Sequence, residues 1–344
     1  PRSTPKPSSA ASDVYKRQML AVGGENLIDL VSGSPTGNGL PTYVANPGGA
    51  PFNAAMAAGR QGHDVAYMTP ISSDALGDLL ADRLVESGVT ITAPRVSQPT
   101  SLAVVSLGAE GVPGYAFHRN GTAERQVTRN QLDSWLPPAT NILHVGGLAL
   151  IDGPDADAWE GCFADCKARG LLTAMDPNVR PVLIPERDPY VARLKRMMQQ
   201  VDIFKLSDED LLWLYPDRSL EQALADCRAD CGAALFVLTM GPDGAYGFAG
   251  TVEMRVPSAP VAQMVDTVGA GDTFMASILA WVIETGRTGR AALEDISSDD
   301  LRTVLQRAAL AAAINCGRQG CNCLLYTSPS PRDRQKWGMA AWAW

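Results

Sequence analysis

Short apolar runs alternate with helix-forming segments through most of the chain, and this alternation predicts the fold class. Apolar runs typical of buried strands lie at residues 20–31, 65–71, 142–145, 171–175, 203–206 and 234–239. Segments with helical periodicity or helix-forming composition lie at residues 51–61, 75–87, 156–169, 188–199 and 219–230. Strands that alternate with helices predict an α/β protein with a mostly parallel sheet covered by helices on both faces.

One segment departs from the alternation. Residues 100–107 and 114–118 are both extended in pattern, and a connection that contains glycine and proline joins them. This arrangement predicts a β-hairpin. We expect the hairpin to form a small lid over a site at the carboxyl edge of the sheet.

The two ends of the chain differ from its interior. Residues 1–18 are rich in Pro, Ser, Lys and Arg without apolar periodicity, and residues 324–344 are similar until a Trp-rich finish. Both resemble translated adapter or read-through sequence more than natural protein, so we expect non-native tails at 1–18 and 324–344 and one folded domain at 19–323. The alternative is a pair of natural disordered tails.

Composition and charge narrow the function classes. The formal net charge of −8 argues against nucleic acid or an anionic membrane surface as a partner. The sequence contains neither an apolar run of the ~18–20 residues that a membrane span needs nor a signal-peptide pattern, which predicts a cytoplasmic protein. The seven cysteines include no C-x-x-C pair. We therefore expect free, buried thiols rather than a zinc site or disulfides.

The strongest chemical motif is the segment DTVGAGDTF at residues 266–274. Gly269, Ala270 and Gly271 allow close approach of the backbone to a ligand, and the following helix offers its N-terminal N–H groups to an anion such as a phosphate. Asp272 stands at this anion site and can accept a proton from a hydroxyl group. We expect the helix dipole to favour its charged form. The alternative is an Asp that only caps the helix after a glycine-rich turn.

Further polar residues fall where a ligand site is expected. Asp29 lies in the first apolar run, and Gly49 and Asn53 lie at a loop-to-helix junction, where carboxylate and amide groups could bind sugar hydroxyls. The segments DPNVR (176–180) and TMGPDG (239–244) each follow a strand, where ligand sites of α/β proteins collect. The alternatives are a helix cap for Asn53, a surface turn for Asp29, and turns at the other two segments.

Taken together, the motifs NPGGAPFNAA, DPNVR, TMGPDG and DTVGAGDTF occur in an order that resembles the ribokinase-like (PfkB) carbohydrate kinases, over residues 19–323. The resemblance implies a three-layer α/β/α fold with a β lid. It also implies ATP and Mg²⁺ as cofactors, with K⁺ as an additional candidate, and phosphoryl transfer to a sugar hydroxymethyl group.

The resemblance also implies roles for individual residues. Asp272 would be the catalytic base, with Gly269, Ala270 and Gly271 as the anion hole. The residues expected to bind the sugar are Asp29, Gly49, Asn53, Arg119 and Arg180. Those expected to bind the nucleotide are Lys205, Ser207, Thr239, Gly241, Gly244 and Asn315. Asp210 and Glu209 would hold Mg²⁺ indirectly, and the backbone around Asp266 and Val268 would hold a monovalent cation.

One motif departs from the family pattern. The usual Asn-x-x-Glu is replaced by Ser207-Asp208-Glu209-Asp210. Because Asp is shorter than Glu, its carboxylate reaches less far toward metal-bound water, which predicts a shifted Mg²⁺ dependence.

The sugar remains open at this point. The segments KLSDED, INCGRQG and YAFHRNGTAER resemble bacterial fructokinases, which favours D-fructose and the product fructose 6-phosphate. The basic lid residues His118, Arg119 and Arg125 could instead grip the carboxylate of 2-keto-3-deoxygluconate. Ribose is a third candidate, and a non-catalytic sugar or nucleotide sensor is the alternative from another class. The resemblance further suggests a homodimer through the lid.

Overall fold

The computed structural model describes residues 18–107, 113–318 and 320–321. Apart from Gln18, the predicted tails lie outside the described residues, and so do residues 108–112 of the predicted connection at 108–113. The strands are β1 (Met19–Gly23), β2 (Leu27–Ser32), β3 (Tyr43–Gly48), β4 (Asp64–Tyr67), β5 (Ile71–Ser72), β6 (Val89–Ile91), β7 (Arg95–Val96), β8 (Ser101–Leu107), β9 (Pro113–His118), β10 (Thr140–Gly146), β11 (Leu172–Asp176), β12 (Ile203–Ser207), β13 (Leu235–Thr239), β14 (Ala245–Ala249) and β15 (Val252–Val256). The helices are α1 (Ala50–Arg60), α2 (Ala75–Glu86), α3 (Arg129–Trp135), α4 (Gly153–Ala168), α5 (Arg187–Met198), α6 (Asp208–Leu214), α7 (Leu220–Asp230), α8 (Ala270–Glu284), α9 (Arg290–Glu294) and α10 (Ser298–Cys316).

A nine-stranded sheet forms the centre, in the order β15-β14-β13-β12-β11-β10-β1-β4-β6. The pairings from β6 to β13 are parallel, and β14 and β15 add an antiparallel edge. One hydrophobic cluster packs α1, α2, α8, α9 and α10 on one face of this sheet, and a second packs α3 to α7 on the other. The predicted three-layer α/β/α fold is therefore confirmed.

The lid is a separate four-stranded sheet in the order β3-β2-β8-β9. Its β8–β9 pair agrees with the predicted hairpin. The lid is nevertheless larger than predicted, because β2 and β3 belong to it as well.

The prediction of one apolar strand over residues 20–31 is wrong, because the run divides between the two sheets. Its first half is β1 in the central sheet and its second half is β2 in the lid. Between them, the Tyr67 hydroxyl donates a hydrogen bond of 3.1 Å to the Glu25 carbonyl oxygen, and Gly24 has φ 141°. A Cβ at Gly24 would lie 2.8 Å from the Gly146 carbonyl oxygen, so this change of direction requires glycine.

The topology determines where a site can form. Strands β1, β10, β11, β12 and β13 are parallel, so their carboxyl ends meet at one edge of the central sheet. The lid begins directly after β1 at this edge. None of the helices in the described part of the chain is both long and apolar enough to cross a membrane.

Candidate active site

A cavity of about 1840 Å³ lies between the lid and the carboxyl edge of the central sheet. Its volume exceeds the roughly 300–1,000 Å³ of a typical single-ligand pocket, so it can hold two ligands side by side. Most of the predicted site residues line it: Asp29, Gly49, Asn53, Arg180, Lys205, Ser207, Glu209, Asp210, Thr239, Gly241, Gly244, Asp266, Val268, Gly269, Ala270, Gly271 and Asp272.

Asp272 lies in the first turn of α8 and is 7% exposed. Asn53 donates a hydrogen bond of 2.8 Å from Nδ2 to its Oδ2, and Asn178 donates one of 3.2 Å from Nδ2 to its Oδ1. Burial, with the nearby Asp176 carboxylate adding to it, raises the pKa of Asp272 to about 7. This net shift is opposite to the one expected from the helix dipole alone, because the loss of hydration on burial outweighs the hydrogen bond from Asn53 and the nearby positive charges.

The glycine turn before α8 forms the floor beside Asp272. Gly269 is the N-cap residue and has φ 77°, a left-handed conformation that glycine adopts without strain. A Cβ at Gly271 would lie 3.1 Å from the Lys205 ammonium nitrogen. The first N–H groups of α8 therefore lie close to a cation, and both attract an anion.

Lys205 is anchored by Asp176 at the end of the neighbouring strand. Its Nζ donates a hydrogen bond of 2.6 Å to Asp176 Oδ2, and both side chains are buried. Burial would lower the pKa of Lys205, but the Asp176 carboxylate outweighs it and the net shift is upward. Asp176 Oδ1 has no hydrogen-bond partner among the described residues. The ammonium group therefore stays charged beside the glycine turn.

The segment that departs from the family motif caps α6. Ser207 Oγ accepts a hydrogen bond of 3.0 Å from the Asp210 N–H, and Asp210 Oδ1 accepts one of 3.0 Å from the Val179 N–H. Burial and the Asp176 carboxylate raise the pKa of Asp210 to about 6. Over the described residues, no three His, Cys, Asp or Glu side chains converge in a metal-binding cluster. The Asp210 and Glu209 carboxylates, which line the cavity, suit a hard cation that retains several of its water ligands, as Mg²⁺ does.

The lid contributes Asp29 to the cavity. This residue lies on β2, paired with Asn46 on β3 and with Ala103 on β8. Burial raises its pKa to about 6 against the opposing attraction of the Arg180 guanidinium. The lid therefore presents a hydrogen-bond acceptor that is mostly ionised above pH 6.

Two predicted site residues lie away from the cavity wall. Arg119 forms a buried, bidentate ion pair with Glu124, with N···O distances of 2.9 and 3.2 Å, and it does not line the cavity. Asn315 is fully buried beneath the glycine turn and donates a hydrogen bond of 2.7 Å to the Val268 carbonyl oxygen. The predicted contacts of Arg119 with the sugar and of Asn315 with the nucleotide stay predictions, and in this structure both side chains bind other groups of the protein.

Asp176 and Asn178 also line the cavity. Both belong to the DPNVR motif, in which the sequence predicts a role for Arg180 only. The contact of Asn178 with Asp272 joins positions 94 residues apart, so no local pattern could have indicated it.

Comparisons with known proteins agree with this arrangement. The family model described as "pfkB family carbohydrate kinase" matches residues 17–326. A fructokinase of Rhizobium leguminosarum bv. trifolii is 38% identical over 76% of this chain and 79% of its own length, and fructokinase-1 of Oryza sativa subsp. japonica is 32% identical over 78% and 84%. The crystal structure of a Xylella fastidiosa fructokinase with bound ATP has a TM-score of 0.78 and 26% identity, covering 89% of this chain and 94% of that one.

Proposed function

Because this chain belongs to the pfkB family of carbohydrate kinases, we propose that it transfers the γ-phosphoryl group of ATP to the 6-hydroxyl group of D-fructose. The observation that carries the proposal is the position of Asp272, which lines the cavity beside the glycine turn at the N-terminus of α8. The choice of fructose is supported by the relative that is 38% identical and is named a fructokinase.

The sugar half of the cavity would be formed by the lid and by the start of α1. Asp29 and Asn53 offer a carboxylate and an amide to the sugar hydroxyls, and Gly49 lets the chain pass close to them. Asp272 accepts the proton of the attacking hydroxyl as that oxygen bonds to the γ-phosphorus, while ADP leaves with the electrons of the broken P–O bond. Such general-base help is worth about 10²–10⁴-fold in rate.

The phosphate half would be formed by positive groups around the glycine turn. The N–H groups at Gly269–Gly271 and the Lys205 ammonium group stabilise the negative charge of the phosphoryl group during transfer. Thr239, Gly241, Gly244 and Ser207 line the part of the cavity assigned to the nucleotide.

Mg²⁺ would be held by Asp210 and Glu209 through water, together with the ATP phosphates, and would neutralise part of the phosphate charge. The backbone around Asp266 and Val268 remains our proposal for K⁺. The Asp266 carboxylate already accepts hydrogen bonds from the N–H groups of Val268 and Gly320, which fixes the turn that would carry this ion.

No observation favours the other candidate functions. The case for 2-keto-3-deoxygluconate depended on the basic lid residues His118, Arg119 and Arg125. Arg119 is paired with Glu124, Arg125 is paired with Asp152 and Asp155, and the exposed His118 does not line the cavity. A non-catalytic sensor would need no base, whereas Asp272 and the glycine turn are both in place.

The test is ATP consumption, with Mg²⁺ and K⁺, in the presence of fructose, ribose, tagatose, adenosine or 2-keto-3-deoxygluconate. We expect fructose to give the highest kcat/KM. Asp272→Ala should lose about 10²–10⁴-fold in kcat while still binding ATP in a calorimeter. Asp188→Ala is the matched control, because that side chain is 96% exposed. Preferred turnover of another sugar would overturn the fructose assignment, and no turnover from folded protein would overturn the catalytic proposal.

We also propose that two copies associate through the lid. Val31 on β2 and Val44 on β3 are register partners at the edge of the cavity and are 39% and 50% exposed, with Tyr43 beside them at 45%. Burying this apolar surface against a second copy would stabilise a dimer. Light scattering at micromolar concentration should give a dimeric mass for the wild type and a monomeric mass for Val44→Lys. A monomeric wild type would contradict the proposal.

A further inference from the structure

Each oxygen of the Asp272 carboxylate accepts a hydrogen bond from an asparagine amide. Asn53 at the start of α1 binds Oδ2, and Asn178 in the loop after β11 binds Oδ1. The two donors therefore approach the carboxylate from two separate elements. A side chain that is bound at both oxygens cannot turn about its last torsion angle without breaking both bonds.

The backbone of Asn178 is held in an uncommon conformation. Its φ is 43°, in the left-handed region that only a few residue types other than glycine enter, with asparagine the most tolerant of them. On one side of it, Asp176 is bound to Lys205, and on the other the Val179 N–H is bound to Asp210. The chain is thus anchored in the site on both sides of Asn178, and the loop holds the Asn178 amide toward Asp272.

We propose that Asn178 is a positioning residue for the base, holding the Asp272 carboxylate in the plane in which it meets the substrate hydroxyl. The proposal rests on the proposed function of Asp272. A carboxylate has about four lone-pair directions, so two amide donors leave each oxygen free to accept a proton from a hydroxyl. This role for Asn178 follows from its contact with Asp272 and from the conformation of its loop.

The same amide has an electrostatic effect. A donor that binds the carboxylate favours its ionised form, because hydrogen bonds to a charged group are stronger than those to its neutral form. The largest effects of other charges on Asp272 come from Asp176, which raises its pKa, and from Lys205 and Arg180, which lower it. Removing the Asn178 donor, with these charges unchanged, should make Asp272 harder to ionise.

The test compares the wild type with two variants that keep the loop conformation. Asn178→Gly removes the donor and adopts positive φ without strain, and Asn178→Asp keeps the shape but replaces the donor with an acceptor. The rate is followed with whichever sugar the wild type phosphorylates best.

We expect kcat to fall by about tenfold or more, as for the loss of one charge-assisted hydrogen bond, with the KM for ATP unchanged. The acid limb of the pH profile of kcat/KM should move upward in Asn178→Gly and further in Asn178→Asp. A wild-type kcat and pH profile in Asn178→Gly would overturn the proposal, as would a change confined to the KM for the sugar.

A second readout needs no activity. The ¹³C resonance of the Asp272 carboxyl, identified by its absence in Asp272→Asn, is titrated in the wild type and in Asn178→Gly. A higher pKa in the variant supports the proposal, and equal pKa values overturn it. If the wild type phosphorylates none of the sugars, the proposed function fails while this titration still decides the role of Asn178.

Discussion

The Lys205 ammonium nitrogen lies 2.6 Å from Asp176 Oδ2, in a buried pair that joins Lys205 in β12 to the last residue of the adjacent parallel strand β11. The Lys205 and Asp176 side chains are 5% and 4% exposed, so each group has exchanged its hydration shell mainly for the other. The pair lies beside the glycine turn, since a Cβ on Gly271 would come within 3.1 Å of the same nitrogen. Asp176 thus keeps a positive charge beside the proposed phosphoryl site.

Lys205→Met should destabilise the folded protein because it leaves the Asp176 carboxylate buried without its partner. Breaking a buried ion pair on one side costs about 3–5 kcal/mol. Urea denaturation followed by circular dichroism measures this loss at pH 7.5. The double variant Asp176→Asn with Lys205→Met carries no buried charge at the pair, so it should recover much of the stability. Equal stability of the single and double variants would show that the uncompensated charge is not the cause.

The pH profile of kcat/KM for the sugar should have two steps on its acid side. Asp272 must be ionised to accept a proton, and its pKa is raised to about 7 by burial and by Asp176. Asp29 is a better acceptor when ionised, and burial raises its pKa to about 6. The value of kcat/KM should therefore increase as the pH is raised through 7. Its dependence on pH should be steeper below pH 6 than between pH 6 and pH 7. Asp29→Asn should remove the steeper part. A profile that is flat from pH 6 to pH 8 would contradict the assignment of Asp272 as the base.

Gly271→Ala should lower kcat while leaving the fold intact. The added Cβ would come within 3.1 Å of the Lys205 ammonium nitrogen, which Asp176 anchors, so the lysine must move away from the turn by a few tenths of an ångström. Displacing this charge from the phosphoryl site should reduce kcat by about tenfold to a hundredfold. Gly289→Ala is the matched control, since a Cβ there meets nothing within 4 Å. An unchanged kcat in Gly271→Ala would remove Lys205 from the proposed stabilisation of the phosphoryl group.

The alternation of apolar runs and helical segments predicted the core layers because burial on both faces leaves a clear pattern in parallel strands. Strand β3 was not predicted. Its last three residues, Asn46, Pro47 and Gly48, all disfavour strands, and the strand forms through antiparallel pairing with β2 at the edge of the lid. Tertiary pairing here overrides local preference.

The candidate site, like the fold, could be predicted from the sequence only in part. The glycine turn and Asp272 could be predicted because their chemistry is encoded within nine consecutive residues, 266–274. The partner of Arg119 could not be predicted, because a basic residue in a lid gives no sign that Glu124 will bind it in the folded state. The direction of the Asp272 pKa shift was also missed. It depends on burial beneath residues from distant parts of the chain, a property of the assembled fold.

Asp74 gives a stability prediction that depends on acid pH. It caps α2, accepting a hydrogen bond of 2.7 Å from the Gly77 N–H, and it also accepts bonds of 2.9 and 2.6 Å from the N–H and hydroxyl of Thr100, which precedes β8. Burial acts to raise its pKa, but these donors outweigh it and lower the pKa to about 2. Because the folded-state pKa lies below the unfolded value of 3.8, the stabilisation is present above pH 4 and is lost as the pH falls toward 2.

Asp74→Ala should therefore reduce the free energy of unfolding by about 0.5–2 kcal/mol at pH 7, the range for lost N-caps. Urea denaturation at pH 7, 5, 4 and 3 should show the difference from the wild type shrinking below pH 4. Asp82→Ala, an exposed position on the same helix, is the control. A difference that stays constant down to pH 3 would mean that the charge of Asp74 contributes nothing to the cap.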